Sequence, residues 1–257
     1  MTASSLFDIA GKTALVTGGS RGIGLMIAEG FVDAGVKVYI SSRKADVVAD
    51  VAAELSKKGT CIGIPADLAT ESECRRLAEE VAAREDSLDI LVNNAGATWG
   101  APLEDFDEAA FERVLALNVK GVFHLTKFLV PLLQKAGTVE EPARVINIGS
   151  IDGIQVPQLD TFSYSASKAA VHHLTRHLAK KLAPTITVNA IAPGPFESKM
   201  MAATLEAFGE QIAANAPLRR IGRPDDMAGA AIYLSSRAGA YLTGAVIPVD
   251  GGIATTR

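Results

Sequence analysis

The chain is poor in the residues that build metal centres and disulfide frameworks. Its two cysteines, Cys61 and Cys74, have no CxxC spacing and no histidine pattern beside them, so they read as free thiols. Three of the four histidines, His172, His173 and His177, share one predicted helix with no nearby cysteine and no HExxH pattern. No metal is expected there, and the three are read as packing at a surface or subunit contact. A basic excess is also lacking: 25 Lys and Arg face 29 Asp and Glu, for a net charge of −4. That balance gives no electrostatic footprint for nucleic acid or an anionic membrane. No uninterrupted apolar run approaches the ~18 residues of a membrane span. The first residues show no basic region followed by an apolar core, so no signal peptide is expected and the chain reads as soluble and cytoplasmic. Low-complexity linkers, charge runs and internal repeats are missing as well, which favours one domain over 1–257.

What the chain has is alternation. Short β-rich runs at 13–17, 37–41, 61–65, 90–93, 144–149, 187–191 and 245–249 are separated by helical patterns near 23–34, 45–57, 71–84, 110–135, 162–182 and 225–236. Ile23, Met26, Ile27 and Phe31 form an apolar stripe at helical spacing in the first of these. Continuous apolar strands alternating with helices predict an α/β, Rossmann-like, doubly wound parallel sheet of about seven strands, covered on both faces. The segment 195–217 does not fit the alternation. It follows Pro193-Gly194-Pro195 and carries Met200, Met201, Leu205 and Phe208 on a weakly organised stretch, and it is read as a substrate-covering lid.

The first strand runs into Thr17-Gly18-Gly19-Ser20-Arg21-Gly22-Ile23-Gly24, and a helix follows. Glycines at this junction let the backbone turn tightly and approach a pyrophosphate, whose charge sits at the helix N-terminus. The second strand ends in Ser41-Ser42-Arg43, where a carboxylate would hydrogen-bond an adenosine ribose 2′-hydroxyl. Arg43 stands there instead, with Arg21 in the glycine turn. Two guanidiniums favour a 2′-phosphate, through charge-assisted bonds, so NADP(H) is the expected cofactor.

Further along, Tyr164-Ser-Ala-Ser-Lys168 places a phenol and an ammonium one helical turn apart, with Ser150 upstream at the end of an apolar run. A cation beside a phenol stabilises the phenolate, and a Tyr tuned this way exchanges protons as carbonyl–alcohol interconversion requires.

These segments occur in the order seen in the short-chain dehydrogenase/reductase family. Thr17-Gly18-x-x-x-Gly22-x-Gly24, Asp67, Asn93-Asn94-Ala95-Gly96, Asn118, Ser150, Tyr164 with Lys168, and Pro193-Gly194 resemble its motifs over essentially the whole length. The resemblance implies Ser150, Tyr164, Lys168 and Asn118 as the catalytic set, with Asn118 holding water in a relay from Lys168. It implies Asp67 and Leu68 near an adenine, and Asn94, Ala95 and Gly96 along the adenosine side. Pro193, Gly194 and Ser198 would flank the nicotinamide, and Tyr164 and Lys168 would also meet the cofactor. A closer likeness, carried by Gly149-Ser150-Ile151-Asp152-Gly153 and Thr98-Trp99-Gly100, is to bacterial 3-oxoacyl thioester reductases of the rhamnolipid-associated branch. It implies a 3-oxoacyl ester or thioester substrate and a homotetramer. Small, sugar-derived or xenobiotic ketones remain the alternative. A non-catalytic NADP sensor would be expected to lose the Ser, Tyr or Lys, and this chain keeps all three. The roles of Trp99 (substrate mouth or packing) and Asp152 (substrate selection or solvent) stay open.

Overall fold

The computed structural model describes residues 2–198 and 201–256. Seven apolar runs form the strands β1 (Thr13–Thr17), β2 (Lys37–Ser42), β3 (Cys61–Pro65), β4 (Ile90–Asn93), β5 (Ala143–Ile148), β6 (Ile186–Pro193) and β7 (Val246–Val249). All are parallel, in the order β3-β2-β1-β4-β5-β6-β7. Because side chains alternate across a strand, each strand feeds both faces. Val16 and Ile40 enter one core, while their neighbours Leu15 and Tyr39 enter the other.

The connecting helices are α1 (Ala3–Leu6), α2 (Gly22–Asp33), α3 (Ala45–Leu55), α4 (Glu71–Ala82), α5 (Glu108–Leu115), α6 (Val122–Ala136), α7 (Phe162–Leu182), α8 (Ala202–Asn215) and α9 (Pro224–Ser235). Helices α2, α3 and α9 cover the first face through Phe31, Val48 and Met227. Helices α4, α6 and α7 cover the second through Leu77, Leu129 and Ala179. Several helix starts are written locally. Thr70 Oγ1 accepts from the Glu73 amide at 3.3 Å, and Asp107 Oδ1 accepts from the Ala110 amide at 2.6 Å. Each cap satisfies an amide that the first turn leaves unpaired.

Two expectations need correction. The pattern near 110–135 is not one α-helix: α5 and α6 are joined by a π-helical turn, Ala116–Gly121. The run Glu108–Ala136 is long and apolar enough to match a membrane span by length and composition. It nevertheless buries Val114, Leu125, Leu129 and Leu133, as a core helix does. The segment 195–217, read as weakly organised, carries the 14-residue helix α8. Its Met200 lies outside the described residues.

The order of the strands positions the site. From β1 the chain moves outward to β2 and β3, then returns to place β4 on the other side of β1. The crevice at this switch, outside the carboxyl ends of the strands, is where such sheets bind ligands.

Candidate active site

Four carboxyl-edge segments converge on the crevice. After β1, the turn takes Gly18 to φ 64° and Gly22 to φ 53°, a left-handed backbone that glycine adopts without strain. A Cβ on Gly24 would lie 2.4 Å from both the Gly18 carbonyl oxygen and Asn94 Nδ2, so only hydrogen fits. Asn94 closes this turn from β4: its Nδ2 donates to the Thr17 carbonyl at 2.8 Å. Thr17 Oγ1 accepts from the Asn94 and Ala95 amides at 2.9 and 3.0 Å. Ser198, arriving after β6, sits so close that a Cβ on Gly22 would be 3.1 Å from its Cβ. Gly194 is pinned by its amide donating to Val249 O at 3.0 Å, with Asp250 filling the space a Cβ would take.

The residues present fit a phosphorylated dinucleotide. Helix α2 opens at Gly22 with no side-chain cap, so its first amides keep their capacity for an anion. Ser42 Oγ at the end of β2 is buried without a hydrogen-bond partner among the described residues. Arg43 and Arg21 are exposed, and neither guanidinium has an ion pair or hydrogen bond among the described residues. Ser20 and Ile23 lie half-buried in the turn. Asp67 is exposed after β3, and Leu68 is buried in the second core, so it can offer a ligand only its backbone. Pro193 ends β6 fully buried.

Across the crevice, Ser150 caps the short 3-10 turn Ile151–Gly153, its Oγ accepting from the Asp152 amide at 3.1 Å. Tyr164, on α7, lies close enough to Ser150 for the serine hydroxyl to favour its phenolate. One turn on, Lys168 is 5% exposed, its Nζ 5.5 Å from the Tyr164 ring centroid. That ammonium donates to Ile148 O at 2.7 Å, its one hydrogen bond among the described residues. Burial sets the acid–base state of both groups. It pushes the Tyr164 phenol up to about 12, against the opposing effect of the Ser150 hydroxyl, and pulls the Lys168 ammonium down to about 8. The lowered phenol expected from the Tyr–Lys spacing is therefore not what the protein alone presents: Tyr164 holds its proton.

Asn118 stands in the π-helical turn, a feature that recurs at functional sites. Its Oδ1 accepts from the Ala97 amide at 2.8 Å, and its Nδ2 donates to Ala97 O and to Ser167 Oγ, both at 2.9 Å. The side chain thus ties the loop after β4 to α7. A methyl on Gly96 would lie 3.3 Å from Asn118 Oδ1 and 3.8 Å from Lys168 Nζ, so the two atoms are neighbours across that glycine.

Other positions departed from expectation or went unread. His172 is not at a surface: it is 4% exposed beneath the Ser150 turn, with Nε2 where a Cβ on Gly149 would otherwise fall. Burial brings it down to about 4. His173 and His177 are exposed, and among the described residues no cluster of three His, Cys, Asp or Glu could hold a metal. Trp99 is 40% exposed, with the Arg113 guanidinium 5.1 Å from its ring centroid. Asn93 Nδ2 donates to Thr126 Oγ1 and Asn147 Oδ1, and Asn147 Nδ2 to Thr175 Oγ1, a buried ladder behind the site. The clue was an asparagine in each of two strands, Asn93 at the end of β4 and Asn147 within β5. Helix α8 forms one wall of a cleft of about 600 Å³ lined by Ser198, Ala202, Leu205, Gly209, Ala213 and Ile221, with Glu197, Glu206 and Glu210. Leu205 faces it; Met201 and Phe208 are outside its lining.

A glycine turn leading into an uncapped helix, with a proton-holding phenol at the same edge of the sheet, defines an oxidoreductase that works with a dinucleotide. Residues 18–254 match the family described as enoyl-(acyl carrier protein) reductase. The chain is 50% identical over 250 residues to the rhamnolipids biosynthesis 3-oxoacyl-(acyl-carrier-protein) reductase of Pseudomonas aeruginosa, covering 96% of this chain and 97% of the relative. The solved Pseudomonas aeruginosa RhlG/NADP active-site complex shares the fold at a TM-score of 0.94 and 49% identity, covering 97% of this chain and 99% of that one. A gluconate 5-dehydrogenase from Burkholderia cenocepacia J2315, in complex with NADP and tartrate, matches at a TM-score of 0.91 and 32% identity, with 98% of each chain covered. The chain belongs to the short-chain dehydrogenase/reductase family.

Proposed function

We propose that this protein reduces a ketone to a secondary alcohol with NADPH, and that its substrate is a 3-oxoacyl ester or thioester. The observation that carries the reading is the buried Lys168, its Nζ 5.5 Å from the Tyr164 ring centroid, with Ser150 alongside at the carboxyl edge of the sheet. The likeness to a rhamnolipid 3-oxoacyl reductase, and to its NADP complex, supports the substrate class and cofactor.

When bound, NADPH supplies the hydride that the carbonyl carbon accepts. The glycine turn from Gly18 to Gly24, with Ser20 and Ile23, would hold its pyrophosphate. Arg21, Ser42 and Arg43 would hold the 2′-phosphate, Asp67 and Leu68 the adenine, and Asn94 to Gly96 the adenosine side. Pro193, Gly194 and Ser198 would take the nicotinamide. Tyr164 holds a proton at Oη and donates it to the carbonyl oxygen. Ser150 Oγ donates a hydrogen bond to the same oxygen, orienting it and stabilising the charge that builds there. Lys168 has two N–H groups beyond its bond to Ile148 O, which suit a ribose hydroxyl. Asn118 fixes the loop beside Lys168 and, with a lone pair to spare on Oδ1, would hold water in the relay that reloads Tyr164.

The cleft under α8, walled by Leu205 and Ile221, suits an acyl chain, and 195–217 acts as its cover. Its three carboxylates oppose an acidic carrier protein, which favours neutral esters or small neutral ketones over carrier-bound thioesters. By likeness to the family we place the enzyme in the cytoplasm as a homotetramer, with exposed Phe7, Tyr233 and Tyr241 as surface available for subunit contacts. The test follows NADPH oxidation across 3-oxoacyl esters, coenzyme A and carrier thioesters, sugar-derived ketones and steroid ketones. Fastest turnover on a free 3-oxoacyl ester is expected, with the polyanionic coenzyme A and carrier thioesters slower. Turnover confined to sugar or steroid ketones overturns the substrate class, and oxidation with none overturns the activity.

A further inference from the structure

His172 has no role in the scheme above, yet it lies directly under the turn that carries Ser150. Tyr164, Lys168 and His172 follow one another at four-residue intervals, so they share one face of α7. That face meets the turn at two successive levels. At the first, Lys168 Nζ donates to Ile148 O at 2.7 Å, just ahead of Gly149 and Ser150. At the second, the imidazole fills the space under both ends of the turn. A Cβ on Gly149 would collide with His172 Nε2 and lie 2.7 Å from Cδ2, and one on Gly153 would lie 2.8 Å from Cε1. Neither glycine is required by its backbone angles, since neither has a positive φ. Both are required for room, at Gly149 by the ring and at Gly153 by the ring and the Lys168 carbonyl carbon at 2.7 Å.

Backbone bonds fix the shape of the turn. The Gly149 amide donates to Ile191 O at 2.7 Å, the Gly153 amide to Ser150 O at 3.0 Å, and the Asp152 amide to Ser150 Oγ at 3.1 Å. The first of these ties the start of the turn to β6, while its separation from α7 is set by the ring that lies between. His172 is 4% exposed, and its Nε2 has no hydrogen-bond partner among the described residues. An apolar side chain would fill the same volume without burying an unpaired nitrogen, so volume alone does not account for a histidine here. What an imidazole offers is a flat edge that lies against a glycine Cα. Burial pulls its pKa down to about 4, so the ring under the turn is uncharged at neutral pH.

We infer that His172 is a positioning residue: its ring, wedged between α7 and the two glycines that bracket the Ser150 turn, sets the height of the Ser150 hydroxyl relative to Tyr164 on the same helix. A hydrogen bond weakens steeply as its geometry departs from the ideal. A turn that shifts on the helix therefore takes the Ser150 donor away from the carbonyl oxygen, while Tyr164 and the glycine turn that receives the cofactor stay in place.

The inference rests on the reductase reading, and the test separates the two. Ketone reduction with NADPH is measured for the protein and for His172→Ala and Gly149→Ala, which break one contact from opposite sides. Each is measured again in combination with Ser150→Ala. Either single variant should lower kcat about tenfold, short of the ~10² that a 1 Å misplacement can cost, with KM for NADPH changed less than about twofold. Once Ser150 is replaced, adding either should lower kcat by less than about twofold, because the donor being positioned is gone. An equal loss with and without Ser150 overturns the inference and leaves the reductase reading intact. In parallel, amide hydrogen exchange is followed at Asp152 and Gly153, whose amides bond to Ser150, with buried Val145 of β5 as the reference. His172→Ala should speed exchange at both about tenfold relative to Val145, and an unchanged ratio overturns the inference. If no ketone is reduced, the reductase reading falls, and the exchange ratio alone decides for or against His172.

Discussion

The two edges of the sheet bury charge in opposite ways. At the amino edge, Arg144 is 1% exposed, yet its guanidinium is bonded to Pro142 O, to Ser236 O at 3.2 Å and to Glu141 at 3.1 Å, leaving only Nε without a partner. Glu141 in turn meets Lys12 at 3.2 Å and Arg237 at 3.5 Å, and Asp89 accepts from the Thr13 amide at 2.8 Å. At the carboxyl edge, Lys168 has one hydrogen bond, Ser42 Oγ and His172 Nε2 have none, and Asp152 has no ion pair among the described residues. Buried polar groups are normally satisfied because each unmet one costs roughly 1–3 kcal/mol. The Arg144 cluster at the amino edge is almost fully paired and stabilises the fold, while Lys168 and Ser42 at the carboxyl edge keep bonding capacity that a ligand can use.

Four variants sharpen or break that contrast. The largest effect belongs to Tyr164→Phe, which should lower turnover by ~10²–10⁴ while sparing NADPH affinity and thermal stability, measured by steady-state kinetics, cofactor titration and calorimetry. Arg144→Ala should do the reverse. Losing the buried cation and its packing should cost roughly 3 kcal/mol in denaturant unfolding, with kcat/KM unchanged. An activity loss larger than the stability loss would show that the amino edge also serves the site.

His172 gives a pH test. Its folded-state value near 4 lies below the 6.5 of an ordinary histidine, so the unfolded chain binds the proton more readily. Stability is therefore full above about pH 6.5 and falls as pH drops from there toward 4, by roughly 3 kcal/mol. His172→Leu should flatten this slope in unfolding curves taken across that window; an equally steep slope would place the acid sensitivity elsewhere. The smallest effect is expected for Arg21→Ala combined with Arg43→Asp, which should shift the NADPH to NADH preference by roughly tenfold. An unchanged ratio would remove these guanidiniums from cofactor selection.

Most of the fold was legible because it is written locally. Strands buried on both faces are short runs of Val, Ile and Leu, and the expected bounds of β1, β3 and β4 coincide with the structure. The site residues were legible where the backbone itself carries the signal, as at Gly18 to Gly24, or where a fixed helical interval does, as from Tyr164 to Lys168. What stayed hidden depends on distant packing. Helix α8 has Gly209 in its middle and no side-chain cap at Met201, so it lacks the usual boundary signals. The π-helical turn is set by Asn118 reaching Ala97 and Ser167, which lie far away in sequence. The burial of His172 follows from hydrogen in place of Cβ at Gly149 and Gly153, a contact that no helical pattern within α7 reveals.

The most direct test of the central claim is a product balance. The protein and its Tyr164→Phe variant, at equal NADPH occupancy, are given a 3-oxoacyl ester, and 3-hydroxyacyl product is counted against NADPH consumed. The under-paired carboxyl edge predicts one alcohol formed per NADPH oxidised in the protein and turnover at least ~10²-fold lower in the variant. Equal product from both would contradict it.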